Sequence, residues 1–498
     1  MNAPGERRHC SAAQSALVFV LAAGVCLCAG IAAWRSGRAD LDALAALSHA
    51  FDVVHREARF NLGLVGFAAP PLPTLLYLPL CVSRGLATTG LACPVLGAVM
   101  LGLTACLLNG ALAGFGLRGA FRWPLVAVLV LHPLILSLGA LGSPGIILAA
   151  AVTGAAFALM RWSQDEGFRD LVTCSLLLTA AALTHAAALW LVFTAALYVA
   201  WRTRGDRQGW ARAEGTLIAF LLPIAYCYAV WIGANWAIMG DPFHFVRALT
   251  PPEPATKCPA WWPLEAVLVA FPPVLGLIWH ELRGVARHNP PGRAGAWLIV
   301  GGMLGGLWFC LAGEGSVSRA PWQALPAIAV TSAAVGLSLL GVVVAQYTAG
   351  AGCARKSLWL SSLLAILGIA AALWLSARGQ GIPLSSPYAG QPALSADVSG
   401  HRAAGNVLRD SVKPERKAYV IGGDGYAVSL FAGVPERTML VDESELRRVP
   451  FQEGDLVLQP SRSSLAALEL AAGAKGLVPR DVTPPGAAAW RAFTLARR

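Results

Sequence analysis

Long apolar runs, separated by short polar and often basic stretches, recur from Ser11 to about Ala377 and then stop. A helix of about 20 apolar residues crosses the ~30 Å hydrocarbon core of a bilayer. On that measure the pattern predicts spans at Ala12–Trp34, Gly90–Ala113, Trp123–Gly139, Pro144–Arg161, Asp170–Thr184, Ala186–Trp201, Glu214–Trp236, Trp262–Glu281, Ala294–Ala312, Ala320–Ala345 and Leu358–Ala377. Asp170–Trp201 is a single apolar stretch split in two, and His132, followed by Pro133, reads as a packed kink. Beyond Ala377 the texture changes. Gly379–Ser395 is rich in Pro, Ser and Gly and reads as a linker. KAYVIGG, RTMLV and DLVLQP then read as short buried strands, with HRAAGNVLRDSV, SELRRV and SSLAALELAAGA as amphipathic helices between them.

The expected fold is therefore mainly α: a polytopic bundle of about eleven transmembrane helices plus a re-entrant segment, with a small α/β domain at the C-terminal end. Residues 1–377 form the transmembrane part, 378–395 the linker and 396–498 the soluble domain. Composition agrees, since 56% of the 498 residues are hydrophobic and 13% charged, whereas soluble domains carry about 25% charged residues. Mean hydropathy is +0.60.

The net charge of +11 would suggest nucleic acid in a soluble protein, but in a membrane protein basic residues collect in cytoplasmic loops. With the N-terminus inside, the alternation places Arg7/Arg8, Arg118/Arg122, Arg161/Arg169, Arg202/Arg204/Arg207/Arg212, Arg283/Arg287/Arg293 and Arg355/Lys356 in the cytoplasm. This requires Pro70–Leu86, a short proline-rich segment, to return to the membrane without crossing it. The first apolar run is too long for a signal-peptide core of about 7–15 residues and reads as a retained helix. Most of the eleven cysteines lie in apolar runs and none follows Cys353, which is the distribution of small core residues rather than of a disulfide framework.

This topology leaves a first outer loop of about residues 35–86, a second of about 237–261, a short one at 313–319, and the C-terminal domain on the extracytoplasmic side. The first loop carries Asp40, Asp42, Asp52, His49 and His55. Acids gathered at an outer surface can hold a divalent metal or act as a general base, and on composition alone they are equally solvated loop residues. No motif calls for a cofactor. GGDG, at Gly422–Gly425, lacks phosphate-loop spacing and reads as a turn ending a strand.

The order of parts resembles the GT-C class of polytopic glycosyltransferases, including the protein mannosyltransferase and aminoarabinose transferase relatives. Asp40-Leu-Asp42-Ala43 stands where those families carry an early Asp, and Pro70-Pro71-Leu72-Pro73 follows at the family's spacing for membrane re-entry. LGSPGIILAAAVTGAAFALMRW, TAAALTHAAALW, NWAIMGDPFHF and RAPWQALPAIAV resemble later segments, so the likeness covers roughly residues 12–377. Two positions depart from the pattern: Ser143-Pro144 replaces an acidic helix start, and His185 replaces a basic residue.

The resemblance implies transfer of a sugar from a polyprenyl-phosphate donor to a glycan, lipid or protein acceptor, at the outer face of a prokaryotic inner membrane. It implies an early acidic residue as catalytic base or acceptor-orienting group: Asp42, then Asp40, then Asp52. Arg319, with Arg247 and Lys257, would bind the donor phosphate. His55, His185, Asp241, His244 and Glu314 would line the cavity, and the C-terminal domain would bind acceptor or a protein partner. A transporter or flippase for a lipid-linked substrate, or a non-catalytic scaffold of the same architecture, are the alternatives from other classes.

Overall fold

The computed structural model describes residues 11–56, 70–117, 119–186, 188–204, 209–243, 294–295, 297–301, 396–412, 415–422, 425–441, 443–461, 463–483 and 490–497. In chain order the first part comprises α1 (Ala12–Arg35), β1 (Arg38–Ala39), α2 (Leu41–His55), α3 (Leu72–Cys81), α4 (Arg84–Thr88), α5 (Ala92–Gly114), α6 (Gly119–Leu131), α7 (Pro133–Leu141), α8 (Pro144–Asp165), α9 (Phe168–Ala182), α10 (Ala188–Arg204) and α11 (Gly209–Met239). The C-terminal part comprises β2 (Ala396–Asp397), α12 (Ser399–Ser411), β3 (Ala418–Ile421), α13 (Gly425–Ala432), β4 (Thr438–Val441), a 3-10 helix (Glu443–Arg448), β5 (Leu456–Pro460), α14 (Leu465–Gly473), β6 (Leu477–Asp481) and β7 (Trp490–Arg497). These elements form two compact units. One takes Met1–Ala29, Phe67–Leu72 and Gly97–Ala393, and the other takes Gly30–Gly66, Pro73–Leu96 and Leu394–Arg498.

The first unit is helical. Among the described residues, α1, α5, α8 and α11 are long and apolar enough to cross a membrane, and α6 with α7 makes a fifth span if the bent pair counts as one. The expected helix Trp123–Gly139 is thus broken, with a 58° bend at His132-Pro133, because proline has no N–H to continue the ladder. Helices α9 and α10 follow the expected split, with 15 and 17 residues, or about 22 and 26 Å at 1.5 Å per residue. The expected spans Trp262–Glu281, Ala320–Ala345 and Leu358–Ala377, and nearly all of Ala294–Ala312, lie outside the described residues.

Large apolar side chains of α1 and α11, among them Leu17, Val20, Leu222, Tyr226 and Val230, face outward. Such surfaces are stable against lipid rather than water; the chain is a multi-pass membrane protein. Helix contacts within the unit rest on small residues, as in other membrane bundles. A Cβ on Gly97 would lie 1.8 Å from the Gly139 carbonyl oxygen, and one on Gly139 would lie 2.7 Å from Cys26 Sγ. Helix α8 begins with Ser143 as N-cap, its hydroxyl accepting from the Gly145 N–H at 3.3 Å, and with Pro144 in the first turn. It ends at Glu166, whose left-handed backbone (φ 51°) lets its carboxylate take Arg202 at 3.0 Å and Arg212 at 2.6 Å.

The second unit holds a mixed five-stranded sheet in the order β4-β3-β5-β7-β6, with β3 parallel to β4 and β5, and β7 antiparallel to β5 and β6. Strand β3 is buried on both faces, hence its unbroken apolar run. Ala418 and Val420 pack with Leu408, Val428 and Trp490 on one face, while Tyr419 and Ile421 pack with Leu468, Phe493 and Leu495 on the other. All three expected strands form, as do the helices at Ser399–Ser411 and Leu465–Gly473. SELRRV is a 3-10 turn rather than an α-helix, and α13, β6 and β7 are additions to the sequence reading. The expected soluble part, 396–498, is joined in its unit by the first loop. Helix α2 packs on α13, and β1 pairs antiparallel with β2, Arg38 opposite Asp397 and Ala39 opposite Ala396.

Helix α3 has ten residues, about 15 Å, half of what a crossing needs. That length matches the expected non-spanning return. The Leu72 N–H, within the helical unit, donates to the Leu183 carbonyl at 3.1 Å.

Candidate active site

The acidic turn at the start of α2 is built by local chemistry. Asp40 follows β1 with extended backbone (φ −86°, ψ 125°), and its Oδ1 accepts from the N–H groups of Asp42 at 2.8 Å and Ala43 at 3.3 Å. It is the N-cap, and the two donors fix its carboxylate in one orientation. Asp40 is 7% exposed, whereas Asp42, two residues later, faces solvent. Tyr77 of α3, fully buried, is hydrogen-bonded to the Cys93 thiol. Burial, that thiol and the Asp40 charge together hold the Tyr77 hydroxyl well above its ordinary range, which puts a neutral hydroxyl near the Asp40 carboxylate.

Asp52 belongs to a different place. It is 8% exposed, and burial pushes its carboxyl up to about 6 against the opposing pull of the Arg56 guanidinium. Asp42 and Asp52 are ten residues apart on one helix, which is about 15 Å along its axis. They therefore cannot serve one reacting atom. Asp52 nonetheless has the titration that proton transfer near neutral pH requires, a property its rank in the sequence did not suggest. His49, between them, is pushed down by burial and stays neutral.

His55, expected at a cavity wall, straps α2 to α3. Its Nε2 is 2.8 Å from the Cys81 carbonyl, so the proton sits on Nε2, and its ring lies 4.5 Å from that of Phe51. His185 stands in the turn between α9 and α10, the same turn whose Leu183 carbonyl holds the start of α3. Asp241 follows α11, and its carboxylate accepts from the Phe243 N–H at 3.0 Å, a turn of the kind Asp-Pro favours. Arg247, Lys257, His244, Glu314 and Arg319 lie outside the described residues. Among the described residues no three His, Cys, Asp or Glu side chains gather as a metal site.

The sequence reading missed the groups that seat the first loop. Arg56 Nη2 donates to the Thr438 carbonyl at 3.0 Å, and Ser48 Oγ donates to the Tyr426 carbonyl at 3.2 Å. Arg84 donates to the Gly433 carbonyl and lies 3.8 Å from Glu436. Arg402 stacks between Trp34 and Phe431, at 5.2 and 5.4 Å, and donates to the Trp34 carbonyl. The available signal was the arginines flanking the acidic helix, Arg38, Arg56 and Arg84.

No protein-family model matches the sequence, and no curated protein matches it. Comparison with solved structures shows a fold like that of ArnT. ArnT from Cupriavidus metallidurans bound to undecaprenyl phosphate superposes with a TM-score of 0.54 at 14% identity, covering 97% of this chain and 98% of that one. The same protein in its apo state superposes at 0.53 with 16% identity and the same coverage.

Proposed function

We propose that the chain transfers a sugar from a polyprenyl-phosphate carrier to an acceptor at the outer face of a prokaryotic inner membrane. The observation that carries this reading is the correspondence with ArnT over nearly the full length of both chains, ArnT having been solved with undecaprenyl phosphate bound. The acidic turn of α2 supplies what the reaction needs. A carboxylate of Asp42 or Asp40 takes the proton of an acceptor hydroxyl as its oxygen attacks the anomeric carbon. The bond from that carbon to the phosphate oxygen breaks, and the lipid phosphate leaves with the electron pair. Arg319, aided by Arg247 and Lys257, is assigned to the departing phosphate because guanidinium offers two parallel donors. The C-terminal unit lies on the same side of the membrane as the first loop, in keeping with the hydrogen bonds between them. Transfer in membranes containing the Asp40→Asn/Asp42→Asn variant tests the assignment: product is expected to disappear while the protein is still made, and full activity overturns it.

A further inference from the structure

The Asp40–Asp42 turn is held from both sides by residues more than 350 positions away. Immediately before it, Arg38 and Ala39 pair with Asp397 and Ala396, and the Val398 N–H donates to the Gly37 carbonyl at 2.8 Å. Between the two acids, the Leu41 carbonyl accepts from the Tyr426 hydroxyl at 3.0 Å. Tyr426 is the second residue of α13, and its own carbonyl receives the Ser48 hydroxyl two turns further along α2. One side chain of the C-terminal unit thus ties the backbone between the acids, while its main chain ties the middle of the same helix. Asp40 orients the N–H groups of Asp42 and Ala43; Tyr426 orients the carbonyl that lies between the acids in sequence.

We propose that Tyr426 is a positioning residue for the acidic turn, so that the C-terminal domain completes the active site instead of serving only as a surface for acceptor or partner. The proposal rests on the transferase reading of that turn. A hydroxyl bonded to a backbone carbonyl does not touch substrate; it sets where the flanking carboxylates sit. Removing it leaves the ring packed and the fold intact, and lets the turn drift.

The test compares the natural full-length chain with Tyr426→Phe and Ser48→Ala in native membranes and in detergent. Four quantities are read: glycosylated product by mass spectrometry, undecaprenyl phosphate affinity, thermal midpoint, and hydrogen exchange at the amides of Asp42 and Ala43. Tyr426→Phe is expected to lower product about 10-fold, within the ~10²-fold that misplacing a reacting group by about 1 Å brings. It should also speed exchange at both amides and leave affinity and midpoint unchanged. Ser48→Ala should do the same more weakly. Unchanged product and exchange overturn the proposal, as does a loss of product that only tracks a fall in midpoint. If the natural chain makes no product, the transferase reading fails on its own, and the exchange measurement still decides whether Tyr426 holds the turn.

Discussion

The two units of this chain differ in what they leave exposed and in what they bury. In the helical unit many large apolar side chains, such as Leu222 and Tyr226, face outward while others, such as Phe220 and Tyr198, are buried, and glycines such as Gly97, Gly139 and Gly154 sit at the helix contacts. In the other unit the large groups, Tyr419, Phe493 and Leu495, are inside, and carboxylates are buried as well, Asp40, Asp52 and Asp455. The first arrangement suits lipid, where packing rather than water exclusion holds helices together. The second suits water, where burying a charge needs a stated partner or a shifted titration. The buried carboxylates among the described residues are all in the unit that contains the first loop.

The sharpest way to test that division is to remove the acids. Asp40→Asn with Asp42→Asn should lower transfer on the order of 10²–10⁴-fold, the range of a lost general base. Asparagine still caps helices, so thermal unfolding should be little changed; a parallel collapse of the fold would make these residues structural.

On the helical side, Gly97→Leu should prevent recovery of folded protein, because its Cβ alone would meet the Gly139 backbone at 1.8 Å. Gly110→Leu on the same helix, where nothing lies within 4 Å of an added Cβ, should fold normally. Gel filtration in detergent separates the two outcomes. Equal behaviour would contradict small-residue packing as the basis of the unit.

Asp52 sharpens the comparison through pH. Its carboxyl sits at about 6 in the fold against an ordinary 3.8, so between those values the folded state binds more protons than the unfolded one. Stability falls as pH rises from about 4 to about 6, and above that the buried charge costs about 3 kcal/mol. Asp52→Asn should raise the thermal midpoint at pH 8 and leave it unchanged at pH 3.5. An equal gain at both would show that burial of charge is not the cause. The smallest effect belongs to Arg56→Ala. It removes one hydrogen bond to Thr438, about 1 kcal/mol, and the favourable charge beside Asp52, so the Asp52 transition should move to higher pH.

Much of the fold could be read from the chain because membrane helices and doubly buried strands both announce themselves as apolar runs. The ends of α1, α5 and α8 fall within a few residues of expectation, and so do β3, β4 and β5. Helix α13 was missed because GYAVSLFA is short and apolar throughout, with no periodicity to set it apart from a strand. The surroundings of the acids were only partly legible. Asp40 and Asp42 stand out only through the family resemblance, and that Asp40 is a buried cap and Asp52 a shifted carboxyl depends on what packs against α2. The pairing of β1 with β2, two residues each and some 350 positions apart, leaves no local trace at all.

The central claim is that this chain consumes a polyprenyl-phosphate sugar. Mass spectrometry of glycolipids and glycans from cells with the chain, without it, and with the Asp40→Asn/Asp42→Asn variant tests it most directly. The expected result is a glycosylated species present only with the natural chain, and its polyprenyl-phosphate sugar accumulating in the other two. An identical profile in all three would contradict the account.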